Sequence, residues 1–356
     1  MFCRSYTAER KGCYFKENEN RNTRKPIFFG SSVRIEACAA VGGKKEKEGP
    51  LGDFLDIYCE DEKLSEKTWE NAESEMSRMA LNMLLSKAKC TDDDVDILLA
   101  GDLMNQCTGA AYGLLDFDIP YFGLYGACST FAESVTLGAL MISSGKVRRV
   151  AAVVSSHFCT AERQYRFPLE YGSFSESTAQ NTVTGAGAVL LSAAEKGESG
   201  VFVTSALPGI VTDRGIKDAA NMGAAMSTAA ADTILRYFEC TKQNPTDFDC
   251  ILTGDLGKEG KSIASEMMRE KLPVVSDVYN DCGVMIYDVE NQEVGCGGSG
   301  CGCSAVVFCG YLYENLRQKK MTNSLLVGTG AMMSPQSLLQ GQSIPAVAHL
   351  IGLESR

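Results

Sequence analysis

Histidine and tryptophan are nearly missing from this chain: two histidines and one tryptophan in 356 residues. The scarcity narrows any search for an imidazole base or metal ligand to His157 and His349. Positive charge is also in deficit. Lys and Arg number 34 against 45 Asp and Glu, a net charge of −11, which argues against broad phosphate-backbone binding, because that requires a basic face. No apolar run reaches the roughly 18 residues of a membrane span. The first residues, including Arg4, Glu9, Arg10 and Lys11, hold no apolar stretch of the kind a secretory signal needs. The 15 cysteines are therefore expected as reduced thiols of a protein made in the cytoplasm, not as a disulfide framework. Cys282, Cys296, Cys301 and Cys303 contain no Cys-x-x-Cys pair, so no metal site is expected. The run Gly295–Gly300 lacks the Gly-Lys-Ser/Thr that closes a phosphate loop.

What the chain does have is the composition of an ordinary soluble globular protein, 45% hydrophobic and 22% charged, at a length that suits two domains or one large duplicated one. It also repeats itself. Asp96-Ile97-Leu98-Leu99-Ala100-Gly101-Asp102-Leu103 recurs as Asp249-Cys250-Ile251-Leu252-Thr253-Gly254-Asp255-Leu256, each a buried strand ending in a Gly-Asp turn. A helical face precedes each copy: Ala72, Met76, Met79, Ala80 and Met83 before the first, and Met226, Ala229, Ala230, Ile234 and Phe238 before the second. Cys128-Ser129 further aligns with Cys303-Ser304 at a shift of 175 positions, which also lays Ala151–Ser155 on Leu326–Gly330.

The pattern predicts an α/β protein of two duplicated βαβ halves with sheets covered on both faces. The N-terminal half is expected over residues 26–198 and the C-terminal half over 199–356, divided at the polar connector Glu195–Gly200. Residues 1–25 are polar and aperiodic, and are expected to form a poorly ordered extension. In such sheets ligands gather at the carboxyl ends of strands. Cys128, His157, Gly254-Asp255 and Asn280-Asp281-Cys282-Gly283 all fall at such ends and are expected to converge on one cleft.

Within that set, Gly126-Ala127-Cys128-Ser129-Thr130 places a lone thiol at a helix N-terminus, where backbone N–H groups favour a thiolate. The position suits a nucleophile or an anion site; the plain alternative is a small buried cysteine that only packs.

These residues carry a family resemblance. The duplicated α/β pattern, the Ala-Cys-Ser junction and the Gly-rich strand Gly295–Gly300 resemble the thiolase and β-ketoacyl synthase superfamily. More narrowly, six motifs in order are similar to the stage V sporulation protein AD family of spore-forming bacteria. They are Lys45–Gly52, Ala100–Leu103, Gly126–Thr130, Ser155–His157 with Thr160–Gln164, Asn280–Gly283 and Gly297–Cys301. The resemblance implies a thiolase-like αβαβα fold and a homodimer. It also implies binding of dipicolinic acid within an assembly of integral-membrane subunits, with the chain peripheral on the spore inner membrane.

Condensing enzymes of the superfamily need a cysteine nucleophile and a histidine. Where a β-ketoacyl synthase would carry its second-half histidine this chain reads Thr253-Gly254-Asp255, and Tyr279 stands where sporulation relatives are expected to have histidine. The expectation is a binding protein without a cofactor. The alternative is an acyl-CoA or β-ketoacyl condensing enzyme with Cys128 as nucleophile and His157 as base; a scaffold subunit is a third reading.

For a flat aromatic dianion, the expected ligand residues are Asp102, Cys128, Ser129, Thr130, His157, Arg163, Asn280, Asp281, Cys282, Ser299 and Gly300. Backbone N–H groups before the Cys128 helix would supply donors, and glycine would let backbone approach the ring. Arg163 and Arg166 offer forked guanidinium groups, unless they pair with Glu162 and Glu170 on the surface. A bound Ca²⁺ would draw on Asp102, Asp255 and Asp281.

Overall fold

The computed structural model describes residues 25–165 and 176–356. The expected N-terminal extension therefore lies, but for residue 25, outside the described residues, as do Arg166 and Glu170. Ten strands form the path of the main sheet. In the first half they are β1 (Val33–Gly43), β2 (Ile97–Gly101), β3 (Tyr121–Gly123), β4 (Arg149–Ser156) and β5 (Gly185–Ala193). In the second they are β6 (Val201–Leu207), β7 (Cys250–Thr253), β8 (Tyr279–Asp281), β9 (Asn323–Ala331) and β10 (Ala346–Ser355). The helices that matter below are α1 (Trp69–Ala88), α2 (Thr130–Ser143), α3 (Phe158–Tyr165), α4 (Met222–Thr241), α5 (Gly257–Arg269) and α6 (Cys301–Val307).

The strand order across the sheet is β8-β7-β9-β10-β6-β1-β5-β4-β2-β3. Read outward from the centre, the first half runs β1-β5-β4-β2-β3 and the second runs β6-β10-β9-β7-β8, the same order. Directions repeat too: β4, β2 and β3 are parallel, as are β9, β7 and β8, and β5 and β10 are antiparallel to both neighbours. The halves join where β1 meets β6, through the pairs Arg34–Phe202 and Ile35–Val201.

Period-two alternation then sorts the side chains into layers. Ala151 and Val153 of β4 face α1, packing with Met76, Ala80, Leu81 and Leu84. Leu325 and Val327 of β9 face α4, with Met226, Ala230 and Ile234. The intervening residues Ala152, Val154 and Leu326 point the other way, into a middle layer built by Phe131 and Val135 of α2 and by Cys303 and Ala305 of α6. Its centre is the Phe131–Phe308 ring pair, 4.9 Å apart with both rings fully buried. The result is the layered αβαβα arrangement of two duplicated halves.

The register of the repeat differs from the sequence alignment by one residue. Leu99 lies opposite Ala152, and its counterpart Leu252 lies opposite Leu326, so β4 maps onto β9 at 174 positions (152 to 326), not 175. The turns agree: the Ser129 amide donates to the Gly126 carbonyl at 3.2 Å, and the Cys303 amide to Gly300 at 3.0 Å. Cys303 is thus the counterpart of Ser129, and the counterpart of Cys128 is Gly302. One cysteine in the wrong register had created the apparent match.

Candidate functional site

The turn before α2 is closed by its own hydroxyls. Ser129 Oγ donates to the Gly126 carbonyl at 2.7 Å; Thr130 Oγ1 donates to the Ala127 carbonyl at 2.6 Å and accepts from the Gly126 amide at 3.0 Å. Ala127 is held at φ +50°, a left-handed conformation that costs energy in a non-glycine residue. Ser129 and Thr130 are both fully buried and spend their hydroxyls on this turn. Cys128 is the residue the turn presents, and it lines a narrow cleft of about 50 Å³.

The first half contributes Leu103, Ala161, Glu162 and Tyr165 to the cleft, and the second contributes Ala219, Met222, Ala331 and Met333. Thr182, Ser299 and Gly300 complete it. They come from a short parallel ladder, Asn181–Thr182 with Gly298–Ser299, that joins the halves beside Cys128. Gly300 has φ +95°, and a Cβ there would come within 2.8 Å of Ser156 Oγ, so this wall requires glycine. Tyr165 is fixed by donating to the Leu103 carbonyl at 2.7 Å, with Tyr125 Oη 3.0 Å away.

Behind the thiol stands Asp255, at the end of β7. Its Oδ1 accepts from Thr329 Oγ1 at 2.7 Å and its Oδ2 from the Gly300 amide at 2.9 Å. Burial pushes its carboxyl up to about 8 despite those bonds and the one to Cys128. Burial, then the Asp255 charge and hydrogen bond, push the Cys128 thiol well above its ordinary range. The thiolate expected from a helix N-terminus is overridden: removal from water and an adjacent carboxyl outweigh the helix dipole.

Of the eleven expected ligand residues, the cleft gathers Cys128, Ser299 and Gly300. His157 is fully buried in a different role. Its Nδ1 accepts from the Cys159 amide at 3.1 Å, its Nε2 lies 2.8 Å from the Glu62 carbonyl, and its ring packs 5.6 Å from Trp69. Burial lowers its pKa, and both ring nitrogens are engaged by backbone away from the Cys128 cleft lining. Arg163 lies on the exposed face of α3, paired with Glu70 at 3.1 Å, and not with Glu162. Asp102 accepts the Met104 and Ala110 amides, each at 2.7 Å, and so shapes the loop after β2. Asp281 caps two turns, accepting from Thr253 Oγ1 at 2.7 Å and the Leu256 amide at 2.8 Å. Asn280 accepts from Lys261 at 2.8 Å, and Cys282 is a fully buried packing residue.

Asp102, Asp255 and Asp281 do not combine into a cation site: among the described residues no three His, Cys, Asp or Glu side chains are placed to hold a metal ion. His349 accepts the Gly209 amide at 3.0 Å, and burial lowers it to about 4.

Sequence reasoning overlooked Glu162 and Tyr165 as cleft walls. The signal was available: α3 begins just after β4 at the ligand edge, and Ala161, Glu162 and Tyr165 share one helical face while Arg163 does not.

A family model described as stage V sporulation protein AD matches residues 23–354. The Bacillus subtilis (strain 168) stage V sporulation protein AD is 40% identical over 326 residues, covering 92% of this chain and 95% of its own. The chain belongs to the stage V sporulation protein AD family. Among solved structures, a Xanthomonas campestris OleA variant is similar with a TM-score of 0.59 at 12% identity, over 92% of this chain and 99% of its own. The 3-oxoacyl-[acyl-carrier-protein] synthase III of Aquifex aeolicus gives 0.56 at 12% identity, over 90% and 99%. At such identities the likeness is one of fold, and it establishes that this stage V sporulation protein AD family member is thiolase-like. No helix among its described residues is long and apolar enough to cross a membrane.

Proposed function

We propose that this family member is a non-catalytic binding protein whose ligand, dipicolinic acid, occupies the Cys128 cleft. The observation that carries the reading is that the described lining of the Cys128 cleft contains no histidine: His157 has both nitrogens engaged elsewhere, and His349 accepts the Gly209 amide. A condensing cysteine needs a base or a cationic partner to become a nucleophile. The walls suit a flat ring: small alanines at Ala127, Ala161, Ala219 and Ala331, two polarisable methionines, and the Tyr165 ring. Thr182 and Ser299 hydroxyls at the floor can turn to donate to a carboxylate.

Charge sets a condition on the ligand. The described lining contains no Lys or Arg, so a bare dianion would enter an uncompensated low-dielectric cleft. Arrival as a calcium chelate removes that cost, and Ca²⁺ co-binding is part of the proposal. Docking on integral-membrane subunits of a sporulation assembly, at the spore inner membrane, is the companion proposal and rests on the family alone.

Calorimetry tests the reading: dipicolinate with Ca²⁺ should bind with one site per chain, and dipicolinate alone more weakly. Absence of heat under both conditions would reject it. The rival condensing-enzyme reading predicts an acyl adduct on Cys128 after exposure to acetyl-CoA, read by mass spectrometry.

A further inference from the structure

Helix α3 gives the cleft Ala161, Glu162 and Tyr165, and its inner side rests on a chain of polar groups that do not line the cleft. Thr160 of α3, Ser155 of β4, and Glu73 and Ser77 of α1 are all buried and meet between these three elements. Ser77 Oγ donates to Ser155 Oγ at 2.9 Å, and Ser155 Oγ donates to Glu73 Oε1 at 3.3 Å. Thr160 Oγ1 lies 2.5 Å from Glu73 Oε2 and 2.9 Å from the His157 carbonyl oxygen.

A count of protons decides how this chain runs. A hydroxyl has one proton to give, whereas a carboxylate and a carbonyl have none. Were Glu73 ionised, one of the two Thr160 contacts would set oxygen against oxygen with no proton between them. With a proton on Glu73 Oε2, the acid donates to Thr160 and Thr160 donates to the His157 carbonyl, so each contact has its own proton. The charged and titratable groups facing Glu73 are Asp102 from the loop after β2, Glu70 on its own helix, and Cys301 of α6. Cys301 Sγ donates to the Ser155 carbonyl at 3.0 Å. On α3, Arg163 is paired with Glu70 on the exposed side, and the His157 nitrogens are engaged by Glu62 and Cys159. No cation in this set favours the charged form. Burial, and then the charge of Asp102, raises the Glu73 carboxyl to about 8.

We infer that Glu73 is a positioning residue that works as a neutral acid, donating to Thr160 and so fastening the α3 wall of the Cys128 cleft to α1 and β4. Ionisation takes away the donated proton and loosens that wall. The consequence for a ligand rests on the reading of the cleft as a binding site, but the test uses no ligand, so either can fail alone.

Infrared difference spectra read the proton, and amide hydrogen exchange reads the wall. Wild type minus Glu73→Gln should show the carbonyl stretch of an un-ionised carboxylic acid at neutral pH, fading above about pH 8. Absence of that band would overturn the inference. The amide of Glu73→Gln can accept from Ser155 through its oxygen and donate to Thr160 through its nitrogen, so α3 should exchange at the wild-type rate. Glu73→Met has similar reach and no donor. Its α3 amides should exchange about tenfold faster, while those of β9 keep their rate. Should Glu73→Met lose its folded circular dichroism spectrum, Thr160→Val is read in its place and should quicken α3 alone. Faster exchange or loss of fold in Glu73→Gln, unchanged α3 exchange in the folded donor-less variant, or equal quickening of α3 and β9 would each overturn the inference.

Discussion

The Tyr287 hydroxyl donates to Glu46, joining two residues 241 positions apart inside the protein. Glu46 also accepts the Thr184 amide at 3.0 Å, and Asn181 donates to the Tyr287 oxygen at 3.1 Å. No cation enters this set, and Glu46 Oε2 is buried without a hydrogen-bond partner. Burial accordingly raises the Glu46 carboxyl to about 7.

Glu46 is one of several such carboxyls. Burial raises Glu73 and Asp255 to about 8 as well. A carboxyl whose pKa is higher in the folded chain favours folding while it is protonated in both states, and that advantage is lost as pH rises through the folded value. Thermal stability should therefore fall between about pH 5 and pH 8.5. Glu46→Gln, which cannot ionise, should flatten the slope. Scanning calorimetry across that range checks it, and a melting temperature that climbs with pH would contradict it.

Cys128→Ala removes the sulfur but leaves the floor and walls of the cleft. Dipicolinate affinity should drop by roughly 0.5–1.5 kcal/mol, one ordinary contact. Cys128→Trp should fill the cleft and abolish binding while the circular dichroism spectrum stays native. Undiminished binding by a folded Cys128→Trp variant would move the ligand elsewhere.

The middle layer should be the costliest place to lose volume. Phe131→Ala opens a cavity against Phe308 and should destabilise the fold by about 3–5 kcal/mol, whereas Leu339→Ala, at an exposed position, should cost little. Urea titrations of the two variants decide it, and equal midpoints would refute the assignment of the core.

Strand β3 pairs with β2 on one side only, and Tyr121 and Phe122 are exposed on it. Such an edge invites pairing with another chain. If the chain forms the expected homodimer, β3 is the edge through which the pairing should run. Light scattering should give twice 38.3 kDa, shifting toward 38.3 kDa for Phe122→Asp. A wild-type mass of 38.3 kDa at micromolar concentration would reject it.

The fold was legible because its signals are local and repeated. Gly101-Asp102 and Gly254-Asp255 mark strand ends in both copies, and the Met76/Ala80 and Met226/Ala230 faces are strongly periodic. The site was less so. Asp102, Asp281 and His157 look like site residues because they end strands, but strand ends also need side chains to satisfy the backbone of the next turn, and these three do that. Sequence position cannot separate the two uses. Nor can it show that the Gly300 wall of the Cys128 cleft is held from behind by Asp255.

The one-residue correction in the repeat register bears on the internal symmetry. At the place related to Cys128, Gly302 has no side chain to offer, and a Cβ there would lie 2.5 Å from Ser156 Oγ and 2.6 Å from the Gly185 carbonyl. Ser156 stands across from Gly302, whereas Ala331 is on the lining of the Cys128 cleft. Among the described residues the internal twofold is therefore broken at this point: Cys128 lines a cleft, and the related Gly302 is packed against backbone and Ser156.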